Sequence, residues 1–269
     1  MNYIKLIFDL KETDEGDIIT AFLSELNPQG FEQNELKLFA FFNEDEYDDI
    51  LIKTALQPLH IQFEKLIIPH ENWNAQWESN FEPIRINNEL GIRANFHPPF
   101  TDCKYDIEIT PKMSFGTGHH ETTQMMLEYA CATDFNGKDV FDFGCGTGVL
   151  AILASLKGAK TVIGIDNDPW SVENANENCM KNNCSSIEIS IQDLTQINKQ
   201  FDIILANINL NILLETLPIL KNLLRSQGQI YLSGILYSDI PTMSKCFTEL
   251  GFQLVSSKQK KDWVALHIN

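Results

Sequence analysis

The pattern of apolar and polar positions divides the chain into two regimes. Residues 3–10 alternate in character, the period of a strand with one buried face. Ile18, Ile19, Phe22, Leu23 and Leu26 then recur at helical spacing over residues 14–26, and Asn27-Pro28 stops that helix. Residues 31–42 read as one strand, on the apolar run of Leu36 and residues 38–42. A helix over 46–59 carries Ile50, Leu51, Thr54 and Ala55 on one face, and 61–68 returns to strand. This succession predicts a small α+β sandwich of the ferredoxin-like kind, residues 1–65.

Residues 66–100 read as a linker region, irregular from 69 onward, broken by Pro69, Pro83, Pro98 and Pro99. Within it Trp73, Trp77 and Phe81 recur every four residues, on one face of a helix that packs onto a domain. From residue 140 the pattern changes to regular alternation. Strands are predicted over 140–143, 161–166, 187–191, 201–206 and 229–235, with helices over 149–157, 170–182, 210–224 and 238–251. A further helix is placed over 124–130. Such alternation means a parallel, doubly wound sheet. Strands 252–257 and 263–268, joined by a polar turn, would close it as a hairpin with an antiparallel strand at the end. The expectation is an α/β, Rossmann-like domain over residues 101–269.

Composition adds less, except in where the charge lies. The 269 residues carry a net charge of −17. Residues 1–65 hold 14 acidic and 5 basic side chains, so about a quarter of the chain carries more than half of the charge. That balance disfavours phosphate backbones and suits a basic partner, although solubility alone also explains it. No apolar run is long enough for a membrane span, and Lys5 and Asp9 interrupt the start of the chain as a secretory signal. The six cysteines form no CxxC pair and read as reduced thiols of a cytoplasmic protein, without a metal framework.

The segment that carries chemistry is Asp142-Phe143-Gly144-Cys145-Gly146-Thr147-Gly148, between a strand and a helix. Glycines at alternate positions allow a tight turn beneath a ligand that would collide with a Cβ. The next strand ends in Asp166, placed to accept hydrogen bonds from both hydroxyls of a ribose. The spacing lacks the third glycine of the dinucleotide fingerprint, and Asp142 is unsuited to a pyrophosphate. An acid there suits a cationic cofactor. The pattern resembles the class I methyltransferases that use S-adenosylmethionine. In that superfamily an acid in the position of Asp193 lies near the adenine amino group.

Two other segments converge on the same edge. Asn207 ends the fourth strand and can present carbonyl acceptors to a reacting nitrogen, or else cap the following helix. It is followed by Ile208-Asn209-Leu210, not by the Pro-Pro-aromatic of enzymes that methylate nucleobase or glutamine nitrogens. Upstream, Phe115-Gly116-Thr117-Gly118 forms a loop that can fold over the methionine end of a cofactor, and Thr122-Thr123 opens a helix. Neighbouring His119 and His120 point to opposite sides of an extended loop. Two-point metal ligation is therefore not expected, and His120 reads as a structural or lid residue.

These motifs, with residues 164–169, Ala206-Asn207-Ile208, residues 232–236 and the upstream pattern of Trp73, Trp77 and Phe81-Glu82-Pro83, occur in one order that resembles the bacterial ribosomal protein methyltransferases acting on protein eleven of the large subunit. The resemblance covers the chain from about residue 70 onward. It implies S-adenosylmethionine as cofactor, and lysine side chains and the N-terminal amine of that ribosomal protein as substrate. It implies an N-terminal domain that recognises this substrate, and cofactor contacts from Thr123, Gly144, Asp166 and Asn207. Asp142, Gly146, Gly148, Asp193, Phe115, Gly116 and Thr117 join them as candidates, with Asn207 the catalytic one. Thr110-Pro111-Lys112, His119 and Glu121 depart from the family's pattern. A monomer that reads no nucleic acid directly is favoured. A methyltransferase of the same fold with another protein or nucleic acid as target, and a non-catalytic ribosome-associated module, are the alternatives.

Overall fold

A computed structural model describes residues 3–68, 81–112 and 114–269, which divide between two units, Met1–Trp77 and Glu78–Asn269. Trp73 and Trp77, with the helix expected around them, lie outside the described residues.

In the first unit the alternating segment forms β1 (Tyr3–Asp9), followed by α1 (Glu15–Ser24), β2 (Gly30–Asn34), β3 (Lys37–Asn43), α2 (Asp49–Leu56) and β4 (Glu64–Ile68). The four strands pair antiparallel in the order β2-β3-β1-β4. Ile4, Leu6 and Phe8 of β1 and Leu38, Ala40 and Phe42 of β3 share a core with Ile19, Leu23, Ile52 and Leu56 from the helices. Period-two alternation put every second side chain on that face. Residues 31–42, expected as one strand, are a hairpin. Glu35 takes a positive φ of 47° in a two-residue turn. Neither Asn-Gly nor Asp-Gly marks it, so the turn left no sequence signal.

The second unit opens on strands where an irregular linker was expected. β5 (Ile84–Ile86), β6 (Leu90–Ala94) and β7 (Tyr105–Ile109) form a small sheet, antiparallel then parallel. Its apolar residues Leu90, Ile92, Ala94, Ile107 and Ile109 are buried in the core of this unit. The proline-rich surroundings masked these short strands.

After α3 (Glu121–Ala132) come β8 (Asp139–Phe143), α4 (Val149–Leu156), β9 (Thr161–Ile165), α5 (Pro169–Lys181), β10 (Glu188–Ser190), β11 (Phe201–Asn207), α6 (Leu210–Leu223), β12 (Leu224–Leu236), α7 (Ile240–Leu250), β13 (Leu254–Lys260) and β14 (Trp263–Ile268). The strands make one sheet in the order β10-β9-β8-β11-β12-β14-β13. The first five run parallel, and β14 pairs antiparallel with β12 and β13. The terminal hairpin is present, but the antiparallel strand is next to last in the sheet, not at its edge.

Neighbouring residues of one strand feed opposite cores. Val140 packs with Met126 and Leu150 on one face, and Phe141 packs with Phe201 and Leu217 on the other. Burial on both faces explains why these strands read as short apolar runs. The order reverses at β8, so β8, β9 and β11 deliver their carboxyl ends to one crevice.

Candidate functional site

The loop after β8 is held from below by Asp142. Its Oδ2 accepts the Ala151 N–H at 3.1 Å, in the first turn of α4, while Oδ1 is buried without a partner. Burial pushes this carboxyl up to about 7; the Ala151 bond opposes the rise and the charge of Asp166 adds to it. Above the loop, Asp166 Oδ2 accepts the Gly146 N–H at 2.9 Å and Oδ1 accepts the Asp168 N–H at 3.0 Å. A carboxylate oxygen has two lone pairs, so Asp166 keeps acceptor capacity toward the crevice.

The glycines serve close packing of protein against protein. Gly144, Gly146 and Gly148 all have positive φ. A Cβ on Gly146 would sit 2.3 Å from the Phe115 carbonyl oxygen, and one on Gly144 2.5 Å from Ile208 Cγ2. The 115–118 loop lies directly on the glycine loop. The Thr147 N–H donates to Phe115 O at 2.9 Å, and the Thr147 hydroxyl donates to Gly116 O at 2.7 Å. Thr117 Oγ1 lies 3.1 Å from His119 Nδ1, and His119 Nε2 lies 3.0 Å from Glu82 O. His119 thus ties this loop to the segment before β5.

His120 turns the other way and caps α3, its Nδ1 accepting the Thr122 N–H at 3.3 Å, with the Thr122 hydroxyl at 2.8 Å. Thr123 follows in the first turn, buried. Its Oγ1 accepts from Asn207 Nδ2 at 3.3 Å. Asn207 ends β11, and its Oδ1 is buried with no partner. The cap of α6 is instead Asn209, whose Oδ1 accepts the Ile212 N–H at 3.1 Å. Asn207 is therefore spared that structural duty.

Asn207, Phe115, His120, Thr122, Ile208, Asn209, Gly234 and Trp263 line a cavity of about 260 Å³. Gly234, at an irregularity of β12, lets the Ile208 carbonyl approach where a Cβ would lie 2.2 Å away. Trp263 is the functional candidate that sequence reasoning missed. It opens β14 after a polar turn, and only the antiparallel pairing with Leu236 of β12 brings it to this cavity. Asp193 stands apart at the end of β10, where its Oδ1 accepts from the Thr195 N–H and hydroxyl at 2.8 and 2.6 Å. Those bonds lower its pKa. A larger hollow of about 510 Å³ lies on the first unit among Tyr3, Phe31, Phe41 and Ile68, with Glu32 as its one acid. It holds no comparable set of convergent polar groups.

A doubly wound sheet with a glycine turn after its first strand and an acid after its second is a Rossmann-like arrangement, and a solved methylase 31% identical to the chain shares it. The family model described as "Ribosomal protein L11 methyltransferase (PrmA)" matches residues 10–269. The chain belongs to the ribosomal protein L11 methyltransferase family. Its relative in Porphyromonas gingivalis, of that name, is 40% identical, the match covering 99% of this chain and 97% of the relative. The one in Bacteroides thetaiotaomicron is 35% identical, over 99% of each. A solved ribosomal protein L11 methylase from Lactobacillus delbrueckii subsp. bulgaricus superposes with a TM-score of 0.65 at 31% identity, covering 70% of this chain and 98% of that one.

Proposed function

We propose that the protein transfers methyl groups from S-adenosylmethionine to lysine side chains and the N-terminal amine of ribosomal protein L11, as a cytoplasmic enzyme. The observation that carries this reading is the buried, unpartnered Oδ1 of Asn207 at the carboxyl end of β11. An acceptor so placed costs stability unless a donor reaches it, and the N–H of an amine is such a donor.

The residues fit the cofactor. Asp166 would hold its ribose and Asp193 the adenine end. The glycine loop, Thr123 and the 115–117 loop would hold its methionine end, and Asp142 would support the loop from beneath. S-adenosylmethionine supplies the activated methyl group; the protein aligns the acceptor and excludes water. A free lysine is neutral at pH 7 in a fraction of only about one in a thousand. Desolvation in the cavity favours the neutral form. Asn207 Oδ1 then takes an N–H of the amine and turns its lone pair toward the methyl group. His120 is a poor base here, because its Nδ1 lone pair is spent on the Thr122 N–H. The proton of the product leaves to solvent.

The first unit has the βαββαβ order and the 2-3-1-4 strand order of a ferredoxin-like domain, and the acidic excess of residues 1–65 supports its assignment as the domain that recognises a basic protein substrate. With labelled cofactor and purified L11, Asn207→Ala is expected to lower methyl transfer by about 100-fold, with a smaller loss of cofactor affinity. Unchanged turnover in that variant would sink the assignment. Mass spectrometry of the L11 product identifies which amines are modified.

A further inference from the structure

The cavity that holds Asn207 has a second character, set by its rings. Phe115 and His120 lie with centroids 5.3 Å apart, and His120 and Trp263 4.9 Å apart in a T-shaped arrangement. All three line the same space as the Asn207 carboxamide. No carboxylate lines that space: among the described residues its polar lining is Thr122, Asn207, Asn209 and the imidazole of His120. A cation entering it therefore meets aromatic rings in the lining, with the nearest carboxylate, Glu121, behind His120 at 4.0 Å from its Nε2.

The wall is braced from outside. Lys258 and Lys260 of the terminal hairpin pair with Glu128 of α3 at 2.9 and 2.7 Å, and Lys261 pairs with Glu121. These contacts fix the hairpin that carries Trp263 against the helix that His120 caps. The helix cap also fixes the orientation of His120, whose Nδ1 accepts the Thr122 N–H.

We propose that Phe115, His120 and Trp263 form a cation-binding wall that retains the amine as it becomes methylated, with Trp263 its principal residue. The inference rests on the amine-methyltransferase reading given above and extends it to the product states. Two modes of recognition divide the work. Asn207 Oδ1 requires an N–H, and each methyl group removes one. Ring faces require none, and they hold quaternary ammonium groups well because such cations are weakly hydrated. A site with the acceptor alone would lose its grip as methylation advanced; a site with the wall as well would keep it.

The test uses choline and its uncharged carbon isostere, 3,3-dimethyl-1-butanol, on the full-length protein. Binding to every variant is followed by ligand-observed NMR titration of each probe, and in the wild type also at the indole N–H resonance of Trp263, assigned by its loss in Trp263→Phe. Choline is expected to bind about tenfold more tightly than the isostere. Trp263→Ala should abolish that preference, and Trp263→Phe should restore most of it. Equal binding of the two probes, or an undiminished choline preference in Trp263→Ala, would overturn the proposal. Thermal unfolding of each variant shows that it is folded. On L11, Trp263→Ala should shift products from trimethylated toward monomethylated amines with the first transfer less affected; an unchanged distribution also counts against the wall. If the wild-type protein prefers choline yet transfers no methyl group to L11, the methyltransferase reading fails and the cation wall stands.

Discussion

Asp142 binds the loop chemistry to the electrostatics of the fold. Its carboxyl sits at about 7 when folded, against an ordinary value of 3.8. Between those values the folded state binds more protons than the unfolded one. Stability from this group is thus present at low pH and is lost as pH rises from 3.8 toward 7. Asp142→Asn keeps an acceptor for the Ala151 N–H but cannot ionise. Between pH 4 and pH 8 the wild type is expected to lose up to about 4 kcal/mol relative to the variant. Urea unfolding of both proteins across that range measures it; parallel curves would contradict the expectation. At this scale the sequence was informative about identity and silent about purpose. Glycines at 144, 146 and 148 announced a tight loop, but the atoms that crowd Gly144 and Gly146 belong to Ile208 and Phe115, which no local spacing discloses.

At the level of elements, α5 shows what periodicity misses. Asn174, Asn178 and Asn182 occupy one helical face, which reads as polar and exposed, yet Asn174 and Asn178 are fully buried. Asn182 pairs with both the N–H and the C=O of Glu108 at the β7 edge, at 2.9 and 2.6 Å. Asn178 accepts the Thr110 N–H at 2.8 Å and donates to the Thr147 carbonyl at 2.9 Å. The helix therefore stitches a strand edge to the glycine loop with side-chain amides. Asn178→Ala strands both groups and is expected to cost about 2–4 kcal/mol in urea unfolding. Asn176→Ala, which removes only a bond to the Val172 carbonyl, should cost under about 1 kcal/mol. Similar losses for the two would mean that the ladder is not cohesive. The central strands were legible because burial on both faces makes them apolar runs. The β2–β3 hairpin and β5–β6 were not, because an unmarked turn and flanking prolines carry no such pattern.

For the whole molecule, the net charge of −17 acquires a use only through its division between two units. If the acidic first unit recruits a basic protein, a chain of residues 78–269 should still bind S-adenosylmethionine but methylate L11 at least about tenfold more slowly. Side-by-side calorimetry and labelled-methyl transfer measure the two properties, and full activity in the shortened chain would remove recognition from the first unit. The rate for the full chain should also fall with added salt, since steering is screened over roughly 10 Å at 0.1 M.

The placement of β14 between β12 and β13 has a consequence for synthesis. β14 follows both of its sheet neighbours in the chain. A nascent chain leaves the ribosome in order, at about 5–20 residues per second. β12 therefore emerges with one edge unpaired and stays so until Trp263–Ile268 appears. During that interval the residues around Leu232 and Ile235 offer a bare template to any other strand. Arrest of translation before residue 263 would leave a complete glycine loop on a sheet that cannot close. Such a chain would have the parts of a catalyst and the behaviour of an aggregating fragment.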